Sequence, residues 1–425
     1  MRSVLAMLVG RLKYCAWLDR RRVIAYGAIL LACEIATFLF LIAGTHGWIV
    51  PLDKPLTTDF ASFYAAGSLA DAGTPALAYD QAAHYAAEQQ ATAPGIQYQF
   101  FFYPPVFIML CALLARLPYL VAFVAFEAAG LLLYLFAVRG ILGERGLGPK
   151  GWRLEGWKFV IPFLAFPAVF WTLGLGQNAL LTAALFGFAM LLVDRRPVLS
   201  GILFGLLCYK PHLGLLIPVA LAAGRRWPAF AAASASAALL VLASIGGFGW
   251  DTWQAYFAAA GDSHSTYEFG RINLAGMISP FAALRVLGLG VAPAYVVQAL
   301  ATLAAMALVA YVWWRDMSIE LRGAALAAAT LIAVPVILLY DLMLAAIAAA
   351  WLVRAARATG YLPWEKAALV TVFAVPLLAL SLGQGWHVPV APLAALLLLG
   401  LVIRRAAAPY ASSRIWISSP TTRTG

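Results

Sequence analysis

Charge is scarce in this sequence. Only 11% of its 425 residues are Asp, Glu, Lys or Arg, while 64% are hydrophobic. A soluble chain of this length could not hide that much apolar surface, so a soluble globular protein is excluded. Cysteine is scarce as well. Cys15, Cys33, Cys111 and Cys208 lie in or beside apolar runs at no metal-ligand spacing, which argues against a disulfide framework and a cysteine metal centre. No G-x-x-x-x-G-K-[ST] phosphate loop and no H-E-x-x-H zinc motif occurs. Asp53 and Asp59 are too far apart to form a D-x-D pair. No metal or other cofactor is expected. A cleavable signal peptide is not expected either, because the basic N-terminus is long and the first apolar run is of spanning length.

What remains is mostly long apolar runs. Val23–Ala43, Val291–Trp314 and Trp364–Leu382 are each long enough to cross a hydrocarbon core of roughly 30 Å as helices. They are apolar on every side and do not alternate as barrel strands would. The expected fold class is therefore all-α, a polytopic transmembrane helix bundle. The net charge of +11 does not point to nucleic acid. Its arginines fall in short clusters at helix ends, as the positive-inside rule predicts, and they do not form one soluble basic face. Membrane lipids are the expected partner.

The clusters orient the chain. Residues 1–22, with Arg20, Arg21 and Arg22, form a basic cytoplasmic N-terminus. The first span then runs outward, and the loop 47–103 is external. Its charges agree: Asp53, Asp59, Asp71, Asp80 and Glu88 stand against Lys54 alone. Two amphipathic helices are expected there, over Asp59–Ala70 and Tyr79–Gln90, lying on the membrane surface, with Thr57 and Thr58 available to cap the first. Arg139–Lys158, Arg195–Arg196, Arg225–Arg226, Arg315, Arg354 with Arg357, and Arg404–Arg405 read as cytoplasmic. Outward turns are then expected at Gly174–Asn178, Tyr209–His212, Gly246–Met277, Leu339–Asp341 and Gly383–His387. Both termini lie inside, so the number of spans is even. About twelve are expected, with Pro104–Ala115 too short to span. Residues 23–405 form one transmembrane domain with a second external loop at 246–277, and 406–425 are a disordered cytoplasmic tail.

Polar residues that interrupt apolar runs gather on the external side. Ionisable groups inside a membrane are expensive, so each is a candidate for function. Asp59 suits either the cap of the first surface helix or a general base at the mouth of a cavity, and the two roles can coexist. Lys210, in LLCYKPHLGLL, sits in an apolar hairpin that Pro211 breaks. A lysine there needs an anion, either a bound phosphate or Asp341 of ILLYDLML. His212 and Arg271 are further phosphate-binding candidates, because a guanidinium can hold two oxygens at once. Tyr64, Tyr103, Gln177, Asn178 and Asp341 are candidates for holding a sugar or an acceptor. Gln177 and Asn178 serve equally well as stitches between helices.

The ordered segments DFASFYAAGSLADAGTPALAYD from Asp59, FFYPPVFIMLCALLARLPY, LGQNALLTAALFGFAMLL, RRPVLSGILFGLLCYKPHLGLLIPVAL and PVILLYDLML resemble glycosyltransferase family 87. This family is related to the mannosyltransferases that use polyprenyl-phosphate mannose. The resemblance implies a GT-C type bundle, a lipid-linked sugar donor, and a catalytic aspartate in the first external loop at the position of Asp59. It also makes mannose the first sugar to consider. At Asp341 the chain departs from the Trp-x-His-His-like segment expected of the mannosyltransferases.

The implied reaction moves a sugar from a polyprenyl phosphate to a lipid or glycan acceptor. Asp59 takes the acceptor's proton, and a cation holds the phosphate as its charge grows. One in-line displacement inverts the anomeric carbon. The site would face the external or periplasmic side of a bacterial inner membrane. The alternative is a non-catalytic carrier or flippase for polyprenyl-linked lipids, which needs the groove and the cation but no carboxylate at the sugar.

Overall fold

The structure, a computed structural model, describes residues 12–45, 49–50, 54–55, 58–143, 158–268 and 273–408 together with Gly10. Helix α1, Arg20–Ala43, starts where the Asp19 carboxylate accepts the Arg22 N–H at 2.9 Å. A two-residue ladder pairs β1, Ile49–Val50, with β2, Lys54–Pro55. Then come α2 (Thr58–Asp71), a 3₁₀ turn (Pro75–Tyr79), α3 (Gln81–Ala91), α4 (Pro105–Ala115) and α5 (Tyr119–Leu142). The next stretch holds α6 (Ile161–Leu164), α7 (Pro167–Leu175), α8 (Ala179–Leu192) and α9 (Pro197–Leu206). Two 3₁₀ turns, Leu207–Tyr209 and Pro211–Gly214, lead into α10 (Leu216–Ala223) and α11 (Trp227–Phe248). Helices α12 (Trp250–Glu268), α13 (Pro280–Val286), α14 (Val291–Trp314) and α15 (Ile319–Thr330) follow. A 3₁₀ turn, Leu339–Leu342, precedes α16 (Met343–Thr359), α17 (Glu365–Trp386) and α18 (Leu393–Ala407). Proline opens α4, α7, α9 and α13, where its missing N–H has no helical partner to lose.

Six helical segments among the described residues are long and apolar enough to cross a membrane. They are Arg20–Ala43, Tyr119–Leu142, Trp227–Phe248, Val291–Trp314, Leu339–Thr359 and Glu365–Trp386. Pro105–Ala115, Ala179–Leu192, Pro197–Tyr209 and Pro211–Ala223 are apolar but shorter. The chain enters and leaves α4 beside the same helix, α2. Just before α4, the Tyr103 ring meets Phe63 at 5.2 Å; just after it, the Leu117 carbonyl accepts from Tyr64 at 2.9 Å.

The first external helix differs from expectation. In α2 the residues Phe60, Ala61, Ser62, Phe63, Ala65 and Ala66 are all buried, so it is an inner helix and not an amphipathic surface one. The cause is the size of its residues. Alanine, serine and glycine cover the faces that the aromatics leave, and they let neighbours approach. A Cβ at Gly67 would collide with the Cys111 carbonyl, so α2 and α4 touch backbone to backbone. Helix α3 is closer to the expected pattern, with His84 and Glu88 buried on one side and Ala82, Ala86 and Gln90 exposed on the other.

The arginine clusters are tied together at one end. Arg354 on α16 pairs with Glu320 on α15 at 3.0 Å and bonds the Ile141 carbonyl at the end of α5. Arg357 bonds the Leu142 carbonyl at 2.7 Å. Arg20 lies 3.7 Å from the Phe159 ring centroid. Arg226 joins Asp194 and Asp316 at 2.9 and 3.0 Å, and Arg322 joins the same two aspartates. The first turn of α15 carries both Glu320 and Arg322, so the two networks meet there. Gln177, Lys210 and Asp341 stand at the opposite ends of the hairpins that leave this network. Helix α8 runs from Asn178 to within two residues of Asp194. At 1.5 Å per residue the polar tips therefore lie roughly 20–25 Å from the arginines, which is less than the thickness of a hydrocarbon core.

Candidate functional site

Three hairpin tips converge. The turn between α7 and α8 contributes Gln177 and Asn178, the 3₁₀ turns after α9 contribute Tyr209, Lys210 and His212, and the turn before α16 contributes Tyr340 and Asp341. The first turn of α2 brings Asp59, and the strand of chain before α4 brings Tyr103. Gly176 makes the first tip possible. It has φ +69°, which side chains disfavour, and a Cβ there would lie 2.6 Å from the Cβ of Phe60. The turn is thus packed directly against the residue after Asp59.

Lys210 Nζ donates to Asp341 Oδ1 at 2.9 Å, with the two side chains 3% and 4% exposed. The other oxygen, Oδ2, accepts the Leu338 N–H at 3.3 Å, so Asp341 also caps its own turn. The ammonium lies 5.1 Å from the Tyr340 ring centroid and 6.0 Å from that of Tyr103. The Tyr103 hydroxyl donates to Gln177 Oε1 at 3.1 Å, and the Asn178 N–H donates to the same oxygen at 3.1 Å. Burial, then the negative charges of Asp59 and Asp341, push the Tyr103 phenol well above its ordinary pKa, so it stays a donor. The charge of Asp59 and the ammonium of Lys210 thus both bear on Tyr103. The Asn178 side chain is 1% exposed, and the Tyr103 hydroxyl is the polar neighbour it bears on, too loosely for a well-formed hydrogen bond; no other partner meets its amide among the described residues.

The predicted residues divide clearly. Asp59, Tyr103, Gln177, Asn178, Lys210 and Asp341 are brought together. Asp59 lies in the first turn of α2 and not at its cap, because the helix already includes Thr58. Its charge there still suits the positive end of the helix. His212 is exposed on the next turn, within electrostatic reach of Lys210 and Asp341. Tyr64 is not part of the group, since its hydroxyl is bonded to the Leu117 carbonyl. Arg271, Thr57, Asp53, the 144–157 part of the basic loop and the 409–425 part of the tail lie outside the described residues.

Some partners were not singled out from the sequence. Tyr340 carries the lysine on its face. Behind α2, the fully buried His84 and Glu88 face each other at 3.6 Å. His84 Nε2 bonds the Ser62 carbonyl at 3.1 Å, and Glu88 accepts the Gln99 N–H at 3.1 Å. Burial lowers His84 to about 4. Burial, reinforced by the charge of Asp59 and opposed by the Gln99 bond, raises Glu88 to about 8. Both shifts favour the neutral forms of the pair, His84 unprotonated and Glu88 protonated. Glu127 on α5 and Glu34 on α1 are also buried, and neither oxygen of Glu127 meets a hydrogen-bond partner. A lone carboxylate in an apolar run is the signal that could have found both.

Lys210 is already paired to Asp341, so a phosphate would need a second cation or a rearranged pair. A hydroxyl held by Tyr103, Gln177 and Asn178 would lie in reach of the Asp59 charge.

The family model described as glycosyltransferase family 87 matches residues 101–337, more than half of the chain. The match includes Tyr103, Gln177, Asn178, Lys210 and His212 and stops short of Asp59 and Asp341 on either side. No curated protein and no solved structure matches. The extent of the family match shows that this chain belongs to glycosyltransferase family 87, and membership makes it a glycosyltransferase with membrane-spanning helices.

Proposed function

We propose that the protein transfers a sugar, mannose first among those to test, from a polyprenyl phosphate to a hydroxyl of a lipid or glycan acceptor. The reaction takes place on the external face of a GT-C type bundle, residues 23–405, of about twelve passes, with Pro104–Ala115 not counted as a crossing. The acceptor oxygen bonds to the anomeric carbon as the bond from that carbon to the donor phosphate oxygen breaks. Asp59 takes the acceptor's proton, and the polyprenyl phosphate leaves with the electron pair. The displacement is in line, so the anomeric configuration inverts.

The observation that carries this reading is the shared surroundings of Asp59 and Lys210 at Tyr103. A base and a cation on either side of one space are what such a displacement requires. The leaving phosphate gains charge in the transition state, so a cation favours it over the bound donor. Lys210 supplies that cation once the donor phosphate shares it with Asp341. Arg271 would supply a second positive charge to the phosphate, and His212 a neutral N–H donor. The buried amide of Asn178, with no well-formed hydrogen bond among the described residues, suits the hydroxyls of the sugar, with Gln177 and Tyr103 beside it.

The test is transfer by purified protein from a set of polyprenyl-phosphate sugars to lipid extract, with products read by mass spectrometry. Asp59→Asn should lower transfer by on the order of 10²-fold or more while donor binding is retained. Normal transfer by that variant would remove Asp59 from the chemistry. Donor binding by wild-type protein without transfer to any acceptor would favour the carrier reading instead.

A further inference from the structure

At the arginine end lies a cavity of about 450 Å³, lined by Ala223, Gly224, Arg225, Arg226, Trp313, Trp314, Arg315 and Asp316. It belongs to no part of the site described above. Its wall is made where α10 and α14 end and α11 begins, so it sits at the border of two candidate spans. Trp314 and Trp227 are exposed at this border, 61% and 57%, as tryptophans at a membrane interface are.

The charges do not cancel. Arg226 is held by Asp194 and Asp316, and Arg322 behind it by the same two aspartates. Arg225 and Arg315 are exposed, and neither guanidinium makes an ion pair or hydrogen bond among the described residues. Two helix C-termini contribute roughly half a negative charge each, and the α11 N-terminus roughly half a positive one. With two free guanidiniums the balance is positive, the sign a phosphate needs.

One further observation points to a ligand. Trp313 lines the cavity fully buried, and its indole N–H has no acceptor among the described residues. Arg225 and Asp316 line the cavity with positive φ, 54° and 45°, as the left-handed residues of the caps that close α10 and α14, which fixes where the chain turns at the cavity wall.

We propose that this cavity is a phosphate-binding site at the cytoplasmic membrane border, with Arg225 and Arg315 as the clamp. Guanidinium forks match phosphate oxygens in pairs. The phosphate comes either from an anionic phospholipid of the inner leaflet, whose chains would lie along exposed Leu239 and Leu303, or from a soluble phosphate. The site is independent of the transfer reaction.

The experiment uses full-length protein in nanodiscs of phosphatidylcholine, with and without phosphatidylglycerol. Native mass spectrometry counts retained phosphatidylglycerol, and titration calorimetry with inorganic phosphate in the phosphatidylcholine discs reads the soluble arm. Wild type should retain one of the two probes. Arg225→Ala with Arg315→Ala should weaken that binding at least tenfold, and Arg225→Lys with Arg315→Lys should restore part of it. Both arginines lie outside the ion-pair network, so the melting temperature should not change; if the double variant fails to fold, Arg315→Glu alone serves. Equal binding of both probes by wild type and variant, or binding of neither by wild type, overturns the proposal.

Discussion

Lys210 and Asp341 stand 131 residues apart in sequence and 2.9 Å apart in space, each closing a different hairpin. The bond joins the turn after α9 to the turn before α16 at the inner end of the polar cluster. Removing one partner strands the other charge in a buried place, which costs about 3–5 kcal/mol. Asp341→Asn should therefore lower the melting temperature of the detergent-solubilised protein sharply. Lys210→Met with Asp341→Leu should recover most of the loss and still fail to transfer sugar. A stable and fully active double variant would show the pair to be structural only.

Gly176→Ala tests how closely the first hairpin tip governs Asp59. The residue has φ +69°, and its new Cβ would press on Phe60 at 2.6 Å. The left-handed backbone alone costs about 1–2 kcal/mol for alanine. A shift of the α2 first turn by an ångström should cost on the order of 10²-fold in transfer rate. Unchanged kinetics in a folded variant would separate the tip from the base.

The His84–Glu88 pair gives a pH dependence with a definite sign. Glu88 is raised to about 8, so its stabilising contribution is full below its unfolded value and is lost as pH rises through 8. His84 is lowered to about 4, so its contribution is present above its unfolded value and is lost as pH falls through 4. Between the two unfolded values the proton counts offset each other, and the pair adds no slope. From about pH 6.5 to 8 only Glu88 is left to act. Wild type should lose melting temperature relative to Glu88→Gln across that window. Parallel curves for the two proteins would rule out a protonated Glu88.

Glu127 offers a gain. Its side chain is 5% exposed and both oxygens lack partners, a burial that costs about 1–3 kcal/mol. Glu127→Met keeps the volume and removes the polar group, so it should raise the melting temperature. A lower value would mean that the carboxyl has a bonded role in the folded protein.

The hairpin tips were legible in the sequence because polar residues there interrupt apolar runs. Gln177, Lys210 and Asp341 each fall between apolar runs, where a turn, a site or a bond between helices is what accounts for a polar residue. Of the two anions weighed for Lys210, the structure supplies Asp341, and the distance in sequence gave no hint of that choice. Helix α2 was misjudged for a physical reason. Phe60, Phe63 and Tyr64 suggest one apolar face, but the alanines and glycine opposite are small enough to be buried too, and periodicity does not measure size. The neutral pair behind α2 was hidden for a related reason. His84 and Glu88 look like solvated charges until burial is known.

The half-length helices also act on the lipid around them. Helix α9 shows Val198, Leu199 and Ile202 outward, and with the 3₁₀ turn after it presents an apolar wall roughly 20 Å tall. A bilayer of ordinary thickness thins, or the flanking residues reach outward, to match so short a wall. Under the proposed orientation the thinned patch lies beside Pro211 and His212, where a lipid-linked donor would approach the site.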